Sequence, residues 1–172
     1  MKTKEVLEIL KVVTWIIFIG LCIETGAMLV SFFVSLFINS GGAKNLYMGL
    51  NLSELYYYSK WHYVTLASLT IIISGMKAWL FYWVIKVISK INFTNPFSEI
   101  IAAIISRIAN ISLQIGITAL LTNIYTEWLQ DTVSFSYERS ESQFLFLAGV
   151  LLVIAQIFKR GIELQSENEL TI

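Results

Sequence analysis

The chain has 172 residues, 56% of them hydrophobic and 14% charged, and its 12 Lys+Arg balance 12 Asp+Glu. A soluble domain carries about 25% charged residues, so the composition excludes an ordinary water-soluble globule. Zero net charge also gives no electrostatic case for direct nucleic-acid binding.

The first apolar run covers 12–38 and follows Lys2, Lys4 and Lys11. It is far longer than the roughly 7–15 residues of a signal peptide's apolar region, and no small-residue cleavage pattern closes it. It therefore reads as a retained helix, long enough at about 1.5 Å per residue to cross a bilayer with tilt. Cys22 lies within it, is the single cysteine, and reads as a packed small hydrophobe. After a loop over 39–61, a second span runs over 62–88 and opens on the single histidine, His62, an interfacial anchor among Tyr and Trp. One Cys and one His do not make a zinc site.

The basic link 89–96 leads into a third span over 97–125. Asn95-Pro96 breaks the chain there, Ser98 or Thr94 supplies the cap, and Glu99 sits in the favourable first turn. A loop over 126–141 precedes the fourth span, 142–160. Lys159 and Arg160 followed by Gly161 mark its end, leaving a polar tail over 161–172. The expected fold is all-α, a single transmembrane domain built as an up-down-up-down four-helix bundle.

Orientation follows the basic residues. The amino end, the 89–96 link and the carboxyl end hold Lys2, Lys4, Lys11, Lys86, Lys90, Lys159 and Arg160, against Lys44, Lys60 and Arg139 in the other two loops. Both termini are thus expected in the cytoplasm. The opposite side carries an aromatic belt including Tyr56, Tyr63, Tyr125 and Trp128. Its acids, Glu141 among them, read as solvated loop surface.

Charge at membrane depth costs at least about 2.5–3.5 kcal/mol per residue unless partnered. Glu24, Lys77 and Arg107 each fall about 15–18 Å from the cytoplasmic end of their spans, which places three charges in one layer. Pairing of Glu24 with Lys77 or Arg107 is expected inside the bundle. Asn110, Gln114, Thr118 and Thr122 continue the Arg107 face of the third span; Thr70 and Ser74 accompany Lys77; and Gln156 lies on the fourth. Such a layer either holds the bundle together or binds an ion or small anion. No carboxylate pair or nucleophile–base pair stands at motif spacing, so no catalytic residue, enzyme activity or cofactor is expected.

Two segments carry a family resemblance. Asn95, Pro96 and Phe97 open the third helix, and the chain closes on Ile157-Phe158-Lys159-Arg160-Gly161-Ile162-Glu163-Leu164, then Glu167-Asn168-Glu169-Leu170-Thr171-Ile172. Together they resemble the bacterial membrane proteins grouped as domain of unknown function 2975, across essentially the whole chain. The resemblance implies a multi-pass protein of the bacterial inner (plasma) membrane, regulatory or accessory in type and acting through protein contacts. It also implies a cytoplasmic helix-turn-helix regulator as partner. A small-solute or ion-binding channel or transporter using the charged layer is the competing expectation.

Overall fold

A computed structural model describes residues 3–91, 98–137, 141 and 143–169. Its elements are α1 (Thr3–Phe37), a 3-10 turn (Ser40–Lys44), α2 (Ser53–Tyr58), α3 (Lys60–Lys90), α4 (Glu99–Gln130) and α5 (Gln143–Glu169). Among the described residues four helices, α1, α3, α4 and α5, are long and apolar enough to cross a membrane.

The helices form a row rather than a closed ring. α1 packs on α3, α3 on α4 and α4 on α5, and among the described residues no contact joins α1 to α4 or α5. Each neighbouring pair is antiparallel: Thr25 meets Ser74 and Ser35 meets Tyr63 between α1 and α3, His62 meets Tyr125 between α3 and α4, and Gly116 faces Leu145 between α4 and α5. Burial follows position in the row. The most apolar stretch of α4 is 56% buried, whereas that of α1 is 6% buried. The apolar surface that α1 leaves open, Ile16, Ile23 and Val30 among it, is what a helix offers to lipid. Cys22 also lies on exposed surface of α1 rather than in a packed interior.

The loop expected over 39–61 is a folded cap. Asn39 accepts from the Gly41 amide to start the 3-10 turn, and Ala43, Leu46, Leu52 and Leu55 are buried with Met28, Tyr63 and Leu66. Gly42 permits this approach: a Cβ there would stand 2.5 Å from the Ser31 carbonyl oxygen and 2.8 Å from the Ser35 amide. Tyr63, expected in the aromatic belt, is instead fully buried in this cluster and shares a 2.6 Å hydrogen bond with Ser35.

Helix ends differ from expectation at one place and agree at another. Ser98 caps α4, its Oγ accepting from the Ile101 amide at 3.3 Å. Gly161 does not end α5, which continues to Glu169. Glycine costs a helix about 1 kcal/mol relative to alanine, and Arg160 spans the site by donating to Glu163 at 2.7 Å one turn on. Asn95, Pro96, Phe97, Leu170 and Thr171 lie outside the described residues.

The segment between α4 and α5 does not stay at the helix ends. Val133, Phe135 and Tyr137 point inward while Ser134 and Ser136 are exposed, the period-2 alternation of an extended chain. Tyr137 reaches Thr70, ten residues into α3, and Glu141 reaches Lys77, a further seven along. At about 1.5 Å per residue, Lys77 and the Glu141 it holds stand some 25 Å along α3 from its start. α5 accordingly starts against the middle of α4, where Leu145 meets Gly116.

Candidate functional site

Thr70, Ser74 and Lys77 stand at intervals of four and three on α3, one face of the helix. That face receives groups from two other parts of the chain. Thr25 of α1 shares a 2.9 Å hydrogen bond with Ser74 and returns its hydroxyl to the Leu21 carbonyl. Tyr137 lies 3.2 Å from Thr70, which donates to the Leu66 carbonyl.

Lys77 Nζ donates to Glu141 Oε1 at 2.6 Å, with the two side chains 12% and 11% exposed. Gln143 Nε2 reaches the other carboxylate oxygen at 3.3 Å. Glu141 stands two residues before α5 and its backbone carbonyl accepts from the Phe144 amide at 3.1 Å, and a negative charge near a helix start is favourable. The six residues Thr70, Ile73, Ser74, Lys77, Tyr137 and Glu141 close around one another without room for a water molecule. This is a dry, paired site close to the middle of the longest helices. An ion pair in that setting holds together only while both partners are present.

The expected layer of three charges is divided. Lys77 is in the site, and its partner at 2.6 Å is Glu141, a residue expected on solvated loop surface. Glu24 is half-buried on α1, next to the Thr25 that bonds Ser74. Arg107 is exposed and stacks over Trp83 at 4.6 Å from the ring centroid. Trp83 is six residues from Lys77 along α3, about 9 Å, so Arg107 lies towards the carboxyl end of α3, away from the site. Lys86 also approaches Trp83, at 4.5 Å.

Asn110, Gln114 and Gln156 are exposed and do not enter the Lys77 site. Arg107 and Asn110 instead line a groove of about 620 Å³ between α4 and α5, with Ser106, Lys159, Glu99 and Glu163. Arg160, Gly161, Glu163 and Leu164 lie on the last turns of α5, where Leu164 is exposed. No cluster of three or more His, Cys, Asp or Glu residues suited to a metal ion occurs among the described residues. At the opposite end, His62 Nδ1 and the Tyr125 hydroxyl are 2.6 Å apart, with Trp128 beside the imidazole.

Set against protein-family models, curated proteins and solved structures, the chain finds no match.

Proposed function

We propose that this chain is a regulatory or accessory protein of the bacterial plasma membrane, acting through protein contacts at its cytoplasmic side. The observation that carries the reading is the continuity of α5. One helix runs from the buried Lys77–Glu141 pair to Glu169, past the level at which α4 begins. A single helix that starts beside a buried charge pair and ends in a polar segment joins the two in one body. The basic residues at the start of α1, the end of α3 and the end of α5 orient those ends to the cytoplasm.

The resemblance to domain of unknown function 2975 makes a helix-turn-helix regulator the partner to test first. The full chain and a form ending after Gln165 are each used to capture that regulator from solubilised membranes. Loss of capture on truncation supports the reading; equal capture removes the tail from it.

A channel or transporter for an ion or small solute is the second reading. α5, a full-length helix, begins beside the charge pair near the middle of α3, and helix ends beside charges at such a depth are a feature of transporter sites. Its test is flux into proteoliposomes with wild type and Glu141→Gln; equal leakage from both excludes it.

A further inference from the structure

The groove between α4 and α5 is charged in layers. Arg107 and Lys159 line its deeper part, Glu99 and Glu163 its outer part. Glu99 is the first residue of α4, and Arg107 lies eight residues further in, about 12 Å. α5 runs the other way, so Glu163 lies four residues, about 6 Å, farther out than Lys159. Neither base has an ion-pair partner among the described residues, whereas Glu163 is held by Arg160 at 2.7 Å. Lys86 adds a third cation, 4.5 Å from the Trp83 centroid over which Arg107 stands at 4.6 Å. An indole ring attracts both cations but neutralises neither. The 32 residues of α4 reach about 48 Å, against a hydrocarbon core of about 30 Å. Centred on that core, the helix leaves about 9 Å in each headgroup layer. Arg107 then sits at the inner edge of that layer and Glu99 within it.

We propose that this groove binds the phosphoethanolamine headgroup of a membrane phospholipid, with the phosphate on Arg107 and Lys159 and the ammonium on Glu99. The phosphate joins the headgroup to the glycerol and acyl chains, so it enters deeper than the ammonium. Bases inside and acids outside is the order that such a zwitterion requires. Basic pockets between membrane helices hold lipid phosphates; the acids add a demand for a cation, which a purely anionic headgroup does not meet. Ser106 and Asn110, also in the lining, supply neutral donors beside the phosphate. The groove encloses about 620 Å³, within the roughly 300–1,000 Å³ of small-molecule sites. Leu113 and Ile117, three and seven residues beyond Asn110, are exposed and give the acyl chains an apolar track.

Native mass spectrometry of the purified full chain tests this. The chain is released from micelles holding equal amounts of short-chain phosphatidylethanolamine, phosphatidylglycerol and phosphatidylcholine, and the retained lipid is counted. One phosphatidylethanolamine per chain is expected, about tenfold over either other lipid, the scale of one charge-assisted hydrogen bond. Arg107→Gln with Lys159→Gln is expected to lower that retention about tenfold or more, and Glu99→Gln to abolish the preference over phosphatidylglycerol. Lys60→Gln, at the other end of α3, is expected to change nothing. All four side chains are exposed, and unchanged unfolding midpoints confirm that the fold is retained. Free phosphoethanolamine is expected to displace the lipid only in large excess; displacement at equal concentration would make the soluble compound the ligand and overturn the lipid site. Equal retention of the three lipids, a wild-type preference for phosphatidylglycerol, or no effect of the Arg107 and Lys159 substitutions would also overturn it.

Discussion

Lys77 and Glu141 are 64 residues apart in the chain and 2.6 Å apart in the fold. One sits on a central helix and the other stands two residues before α5. The pair therefore fixes where α5 begins. Glu141→Gln removes the negative partner and leaves a buried ammonium, which costs about 3–5 kcal/mol. The expected outcome is a large fall in the unfolding midpoint in detergent, measured by far-UV circular dichroism. Lys77→Met combined with Glu141→Leu, which removes both charges, recovers most of that loss.

Gly116 sets the spacing of α4 and α5. A Cβ at this position stands 2.5 Å from Leu145 Cγ and 3.0 Å from the Leu145 amide nitrogen. The second atom is backbone, so a side-chain rotation does not relieve the clash. Gly116→Ala gains about 1 kcal/mol of helix propensity and loses about 1–3 kcal/mol to overpacking. A net lowering of the thermal midpoint is expected, smaller when Leu145→Ala is added.

Tyr137 anchors its segment by its ring more than by its hydroxyl. The hydrogen bond to Thr70 is 3.2 Å long and such bonds contribute about 0.5–1.5 kcal/mol. Burial of the aromatic ring contributes about 3–5 kcal/mol on truncation to alanine. Urea titration should place Tyr137→Phe close to wild type and Tyr137→Ala far below it; similar values for the two would contradict the packing described.

Sidedness is checked at two exposed positions. Met48, 85% exposed beyond the end of α1, and Glu167, exposed near the end of α5, are each changed to Cys in a Cys22→Ser background. A membrane-impermeant maleimide applied to intact cells should label Met48→Cys and spare Glu167→Cys until the cells are opened.

The four long helices are legible in the sequence because apolar length alone reveals them, and the Ser98 cap and the Thr70, Ser74, Lys77 face are legible as local patterns. The partner of Lys77 is not, because it comes from a segment that reads as a surface loop when only polarity is weighed. Val133-Ser134-Phe135-Ser136-Tyr137 does carry the signal: strict alternation marks an extended chain with one buried edge. Arg107, Asn110 and Gln114 share a face as their spacing requires, but periodicity states which residues share a face and not what that face meets. The continuation of α5 through Gly161 is not legible because a lysine, an arginine and a glycine in order form a stop signal.

Charge exchange at the buried pair tests the central claim most directly. Lys77→Glu and Glu141→Lys are made singly and together, and membrane-inserted yield and the unfolding midpoint are measured for each. Direct pairing predicts that each single exchange, which sets two like charges against each other in a dry site, is severely destabilised. It also predicts that the double exchange recovers most of the wild-type midpoint. A double exchange no more stable than the worse single one would contradict it.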